Sequence, residues 1–464
     1  MQRGEISGRW DVNYWASILL FNERYATPLY PLEPLSKGIA FVQYGCSDLA
    51  NSEGRGLRIV RMNNLQADGW DFSDIKYVPL GLAAARRYRL KRGDVLFNRT
   101  NSKELVGKCE VFRERGVWVF ASYLIRVRCN EKVLLPDFAA MFLNTSAGRL
   151  QIDRTSRQII GMTKVNAEEL QSLIIPLPDT TKQGELVAAM EAARGARRAK
   201  LAEADALLAG LDSFLLETLG LTSPPKDSRK VFAVRRSACM EAGRCDPGFH
   251  HPRFAKILEA FTASPVPKLT LGKISSEIVG GATPTKGSTE LYTTGGIKFL
   301  RILNVKANEF DLSDLNYIKS EVHEGELKRS QLAENDVLMT IIGRVGSAAV
   351  VSADLLPANI NQHIVRLRIG TDRVLPEYLA IYLNSSVGLT LSNRGVTGGT
   401  RVALDYSAIR ALEIPVPSRE VQDHIVTEAC RLRDEARHLR TEAEADWQAA
   451  KRWFEEQLLG PAKP

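Results

Sequence analysis

The 464-residue chain is poor in cysteine and histidine and has no long apolar runs. Its six cysteines stand at 46, 109, 129, 239, 245 and 430. None forms a C-x-x-C pair, and no Cys/His set has zinc spacing, which argues against a zinc site. Scattered, unpaired cysteines predict reduced thiols in a cytoplasmic protein. No apolar run approaches the roughly 20 residues needed to span a bilayer. The N-terminal MQRGEISGRWDVNYW lacks the apolar stretch of a signal peptide.

Catalytic motifs are missing as well. The chain has no G-x-x-x-x-G-K-[ST] phosphate loop and no H-E-x-x-H. Gly45 and the GGATP run at 280–284 do not make a G-x-G-x-x-G. His251, His323, His363, His424 and His438 are isolated and read as structural or exposed. Ser223-Pro224-Pro225 suggests the Pro-Pro core of an adenine methyltransferase site, but Lys226 stands where an aromatic would stack on the base. Asp314, Glu326 and Lys328 could be forced into a nuclease-like set. The first half of the chain has no matching Glu-x-Lys, so these read as surface charge. The expectation is a chain with no catalytic residue, no metal and no cofactor of its own.

What is present is a chain that is 44% hydrophobic, enough for two or three domains with real cores. The net charge of +8 is a modest basic excess, compatible with nucleic acid. Arg86, Arg87, Arg89, Lys91 and Arg92 cluster within seven residues.

Two proline-free runs predict long helices. Residues 182–219 are dominated by Ala, Leu, Glu, Arg and Lys, all good helix formers. Leu201, Ala204, Leu208, Leu211 and Leu215 follow a heptad seam. Upstream the frame meets Val187 and Met190, then Arg194 and Arg197, so its middle is polar. Gly220 is a stop signal. The twin run, 421–459, places Ile425, Ala429, Leu432, Ala436, Leu439, Ala443, Ala450 and Trp453 in one frame, with Asp446 as a break. A helix of this length spans roughly 57 Å and cannot bury its stripe alone. The simplest arrangement packs the two antiparallel. An ordinary helical hairpin or a homodimeric coiled coil would read the same way.

The strongest signal is an internal repeat. GRWD at 8–11 returns as GRCD at 243–246. Residues 58–77 align without gaps to 298–317, with Arg61, Asn64, Asp71, Ser73, Asp74 and Tyr77 repeated as Arg301, Asn304, Asp311, Ser313, Asp314 and Tyr317. Asp94-Val95-Leu96 matches Asp336-Val337-Leu338, and LIRVR at 124–128 matches IVRLR at 364–368. LIIPLP at 173–178 matches LEIPVP at 412–417, and Gln183 matches Gln422 at the start of each long helix. The fold class predicted is mixed α/β. Strands are expected at 58–62, 94–97, 118–121, 124–127 and 173–175, with counterparts at 298–302, 336–340, 364–367 and 412–414. A short helix fits 136–144 and 376–384.

Two similar α/β units, each followed by a long helix, with no catalytic set, resemble the specificity subunit of Type I restriction–modification systems. The order unit–helix–unit–helix carries the resemblance, with GDVLF and NDVLM at 93–97 and 335–339, the GGATP turn, and the I-P-(L/V)-P approach to each helix. It implies target recognition domains at 1–180 and 243–418, spacer helices at 181–220 and 419–464 paired as an antiparallel coiled coil, and a linker at 221–242. Each domain would read one half of a split, asymmetric double-stranded DNA site. The helices would set the gap and hold two methyltransferase subunits that bind S-adenosylmethionine, and motor-nuclease restriction subunits may join. The first unit departs from the pattern: QYGCSD at 43–48 replaces the glycine–threonine–proline turn, which leaves its loop geometry open. The rival class is a duplicated protein-interaction scaffold that does not touch DNA.

Sequence readout needs donors and acceptors on loops, with basic residues gripping phosphates. The loop after the Asp-Val-Leu strand offers Asn98, Arg99, Thr100, Asn101, Ser102, Lys103 and Lys108; its counterpart offers Thr340, Arg344 and Ser347. A second loop offers Arg157, Gln158, Thr163 and Lys164, matched by Thr397, Gly398, Thr400 and Arg401. These are the expected DNA-binding residues. Both loops diverge between units while their flanks agree, as two different half-sites require and as freely drifting surface loops would also show.

Overall fold

The computed structural model describes residues 20–66, 69–155, 157–159, 162–223, 229, 231–284, 292–398 and 402–461. GRWD at 8–11, and 224–228 and 230 in the segment between the repeats, lie outside them. The chain divides into two compact units: Met1–Leu201 with Thr441–Pro464, and Ala202–Arg440.

Unit 1 is built on a four-stranded antiparallel sheet. Its strands are β1 (Ile39–Tyr44), β2 (Val95–Asn98), β3 (Cys109–Val111) and β4 (Leu124–Cys129), in the order β1-β4-β2-β3. Unit 2 repeats it with β5 (Ser275–Gly280), β6 (Val337–Thr340), β7 (Ala348–Val350) and β8 (Ile364–Ile369), in the order β5-β8-β6-β7. The apolar runs of β2 and β6 follow from burial on both faces. Successive side chains point to opposite faces, so Val95 and Phe97 join one core with Phe138 and Phe142, while Leu96 joins another with Trp118 and Phe120. In unit 2, Val337 and Met339 join Tyr378 and Tyr382, and Leu338 joins Leu300 and Ile360. A smaller sheet covers the second face. In it Leu57–Val60 runs parallel to Trp118–Phe120 and antiparallel to Lys76–Val78. Ile297–Leu300, Ala358–Ile360 and Asn316–Ile318 repeat the arrangement.

The polar residues shared by the two repeats hold this scaffold. Asp94, 1% exposed, accepts from Arg128 Nε at 2.7 Å and Nη2 at 2.9 Å. Asp336 does the same with Arg368 at 2.8 and 2.9 Å. Asn64 accepts from the Arg61 backbone N–H and donates to the Asp71 carbonyl, and Asn304 ties Arg301 to Asp311 in the same way. Asp314 therefore sits in an ion pair with Arg301 at 2.8 Å, the counterpart of Arg61–Asp74 at 2.9 Å.

The long runs form α1 (Thr180–Thr218) and α2 (Arg419–Leu459). Each unit contains a piece of both. In unit 1, Arg197 meets Glu444 at 3.1 Å and Lys200 meets Glu442 at 3.3 Å. In unit 2, Asp205 pairs with Arg440 at 2.8 Å and the Phe214 ring lies 5.4 Å from His424. Rising numbers on α1 against falling numbers on α2 make the pairing antiparallel, as expected. Gln183 and Gln422 join each helix to its α/β unit. Gln183 accepts from the Leu135 N–H at 2.8 Å and donates to the Val133 and Pro178 carbonyls at 2.9 Å. Gln422 accepts from Leu375 at 2.9 Å and donates to Arg373 and Pro417 at 2.8 and 3.0 Å.

One expectation about α2 is corrected. Beyond Ala443 the buried stripe runs through Trp447, Phe454 and Leu458, whereas Trp453 is 39% exposed and Asp446 faces Lys200. A straight helix drifts about 20° per heptad relative to a strict 3.5-residue repeat, and the stripe moves one residue along to bury the larger apolar groups.

Candidate nucleic-acid interface

In unit 1 the two loops proposed for readout come together. Thr100–Asn101 pairs with Met162–Lys164, which pairs in turn with Arg157–Ile159, in a three-stranded antiparallel sheet. In unit 2 the counterparts also meet. Ile342 bridges to Ala403, Thr397 and Ala403 exchange backbone hydrogen bonds at 2.8 and 2.9 Å, and the Gly343 N–H reaches the Val402 carbonyl at 3.1 Å. The first loop leaves the end of β2 or β6, and the second, which follows the helix Ser146–Thr155 or Ser386–Arg394, reaches it through these backbone pairings.

The individual side chains divide into two groups. Asn98, Thr100, Thr340 and Ser347 are 0–4% exposed. Asn98 Nδ2 donates to the Leu105 carbonyl at 3.2 Å. The Thr340 hydroxyl donates to the Arg344 carbonyl and accepts from the Ser347 N–H at 3.1 Å. These four side chains, expected from the sequence at a DNA interface, are buried beneath their loops in this structure. Thr163 is likewise buried. Lys103, Arg344, Thr397 and Gly398 are exposed, and Arg99, Asn101, Ser102, Lys108 and Lys164 are half-buried. Asn101 Oδ1 accepts from the Ser102 N–H at 2.9 Å. Burial, and secondarily Arg149, holds the Lys108 ammonium below its usual range. Arg157 and Gln158 are placed by their backbone in the outer strand of that sheet. Thr400 and Arg401 lie outside the described residues.

Sequence reasoning missed the tyrosines beside these loops. The Arg99 guanidinium stands 4.6 Å over the Tyr44 ring, and the Tyr44 hydroxyl accepts from the Ala167 N–H at 2.8 Å. In unit 2 the strand position equivalent to Tyr44 is Gly280, and Tyr406 from the opposite element fills the space; its hydroxyl would lie 1.7 Å from a Cβ at Gly280. Tyr44 and Tyr406 are 39% and 43% exposed. The only sequence signal was reciprocity, a Tyr–Ala pair in one repeat against a Gly–Tyr pair in the other. The basic cluster Arg86, Arg87, Arg89, Lys91 and Arg92 is exposed throughout. The turn left open by QYGCSD keeps its key geometry. A Cβ at Gly45 would fall 2.3 Å from the Phe120 and Ala121 carbonyl oxygens, and one at Gly281 would fall 2.2 and 2.3 Å from those of Ile360 and Asn361.

Among the described residues, no group of three or more His, Cys, Asp or Glu could hold a metal ion, and no helix is long and apolar enough to cross a membrane.

The architecture is a duplication, with two α/β modules that carry different polar loops on the same four-stranded scaffold. Residues 270–428 match the family model described as the Type I restriction modification DNA specificity domain, and the chain is similar to specificity subunits of Type I restriction enzymes. It is 30% identical over 131 residues to the specificity subunit of the Type I restriction enzyme EcoBI of Escherichia coli, a match covering 28% of this chain and 27% of that protein. The specificity subunit of StySPI from Salmonella potsdam is 22% identical over 383 residues, covering 80% of this chain and 74% of that one. A solved chain from work on complex assembly and conformational transition of the type I R-M system shares the fold. Its TM-score is 0.52 at 15% identity, over 92% of this chain and 96% of that one.

Proposed function

We propose that this chain is the DNA specificity subunit of a Type I restriction–modification complex, with each α/β unit reading one half of a split, asymmetric double-stranded site. The observation that carries the reading is the contrast within the repeat. The scaffold agrees down to single hydrogen bonds, from Asp94–Arg128 to Asp336–Arg368, while the first loop it supports differs at every position, 98–103 against 340–345. A protein that binds one partner twice has no need of that divergence.

Phosphate gripping falls to the basic cluster at 86–92 and to Lys103, Lys108, Lys164 and Arg157 in unit 1, and to Arg344 and Arg401 in unit 2. Base edges are met by Arg99, Asn101 and Thr397, since arginine and amide side chains match base patterns in the major groove. Tyr44 holds the Arg99 guanidinium flat, which lowers the entropy lost on contact. Asn98, Thr100, Thr340 and Ser347 keep the loops in shape. The long helices set the gap between half-sites and hold two methyltransferase subunits, which carry S-adenosylmethionine and the chemistry; restriction subunits join that assembly. This chain contributes no catalytic group, takes no cofactor and works in the cytoplasm.

The test is selection from a randomised duplex pool by the chain assembled with its methyltransferase, followed by methylation mapping. Two short sequences separated by a fixed, sequence-free gap are expected. Enrichment of a single continuous site, or of none, would overturn the reading.

A further inference from the structure

The two helix pairs differ at one place where the repeat predicts the same packing. With Gln183 aligned to Gln422, Trp447 of α2 corresponds to Leu208 of α1, Phe454 to Leu215, Arg194 to Arg433, and Arg197 to Ala436. In unit 1, Trp447 is buried among Met190 and Phe454, with the Arg194 guanidinium 5.8 Å over its ring. In unit 2 the smaller residues leave a cavity of about 230 Å³. Leu208, Leu211 and Leu215 of α1 and Ala436 of α2 give it apolar walls, and Asp212, Glu309, Arg433, Arg437 and Arg440 line it with charge. Leu211 in place of Ala450 recovers only part of the lost volume.

Arg433 is held in position by the Asn308 carbonyl, which accepts from its guanidinium, and Asn308 takes a left-handed backbone with φ 59° to reach it. The cavity therefore keeps the cationic wall that faces the indole in unit 1 and lacks the indole. An apolar cavity of about 150 Å³ is enough to bind benzene, and a guanidinium over a ring face adds attraction.

We infer that this cavity is a binding site for a small planar aromatic molecule of indole size, seated between the leucines of α1 and the guanidinium of Arg433. The ligand takes the place that Trp447 occupies in the other helix pair. Nothing in the proposed DNA reading requires such a site, and its failure would leave that reading untouched.

The experiment titrates the full chain with indole, followed by calorimetry and by methyl-detected NMR of labelled leucine. Saturable binding is expected with a dissociation constant of roughly 1 mM or tighter, in line with the binding energy available per atom to small ligands. Transfer of magnetisation from the indole ring to the Leu208 and Leu215 methyls should locate it. Leu208→Trp and Ala436→Leu plug the cavity from opposite walls, and each should weaken binding at least about tenfold, the factor that separates an open from a filled pocket when 1.4 kcal/mol is lost. Leu208→Trp should also raise the unfolding midpoint by about 2 °C, as cavity filling does. Absence of saturable binding by the unsubstituted chain, or transfer to methyls elsewhere, overturns the inference. So does equal binding by both plugged variants.

Discussion

Unit 1 and unit 2 agree where their side chains face backbone and disagree where they face space. Asp94 and Asp336, Asn64 and Asn304, and Gln183 and Gln422 each make the same contacts in both units. Tyr44 and Tyr406 fill the same space from opposite elements, and Trp447 has given way to Leu208. A buried polar group must keep all its partners at once, because a lost partner leaves an unsatisfied group. An apolar volume can be filled in several ways. Duplicated sequences drift along the second route and are held on the first.

The sharpest way to break the likeness is at the buried carboxylates. Asp94→Ala or Asp336→Ala leaves a guanidinium pair facing an empty acceptor site and should cost about 3–5 kcal/mol. Urea unfolding should show this as a loss confined to the unit that carries the change. Equal loss from both substitutions is expected, since their geometries match within 0.1 Å.

Next come the joints. Gln183→Ala strands the Leu135 N–H and two carbonyls, and Gln422→Ala does the same at Leu375. Each should cost about 2 kcal/mol. Hydrogen exchange at Leu135 or Leu375 should accelerate only in the matching unit, and a change that spreads to the other would contradict the division of contacts.

Smaller effects are expected at the loops. Arg99→Ala should cost roughly 1–3 kcal/mol of DNA binding and relax one base position, whereas Arg344→Ala should weaken binding uniformly and reduce the salt slope by about one. Each should act on one half-site, as competition between duplexes altered in one half would read out. Effects on both half-sites from a single substitution would dissolve the distinction between units.

Much of the architecture was legible. The strands beginning at Val95, Leu124, Val337 and Ile364, and the helices Pro136–Leu143 and Pro376–Asn384, all stand where apolar pattern and proline placed them. The strands Ile39–Tyr44 and Ser275–Gly280 were not foreseen. They lie at a sheet edge with exposed and half-buried residues mixed along each strand, so they lack both the apolar run of a buried strand and a clean alternation. The candidate loops were found as segments but not as side chains. Asn98 and Thr340 carry the chemistry of readers, yet a strand end turns them inward, and direction at a strand end depends on register that composition does not encode. The heptad frame of α2 failed past Ala443 for a similar reason, since a one-residue shift in phase exchanges Asp446 and Trp453 for Trp447 and Phe454.

The last perturbation is read in spacing rather than in stability. Four residues inserted near Leu201–Leu215 add about one helical turn, or roughly 6 Å, and shift the seam only slightly. If the helices set the gap, the preferred spacing should grow by one or two base pairs with both half-site sequences unchanged. Methylation mapping in cells that express the variant with its methyltransferase would read this directly. An active variant with the old gap, or with new half-sites, would contradict the spacer role.

The joints at Gln183 and Gln422 have a further consequence. Each glutamine addresses only main-chain atoms: one N–H and two carbonyls, the latter contributed by Val133 and Pro178 or by Arg373 and Pro417. A coupling made to main chain is blind to the amino acids that surround it. Any α/β module that brings its backbone to the same three points can plug into either socket, whatever its reading loops contain. Exchange of a module at these junctions is therefore expected to leave the joint intact without compensating changes around it.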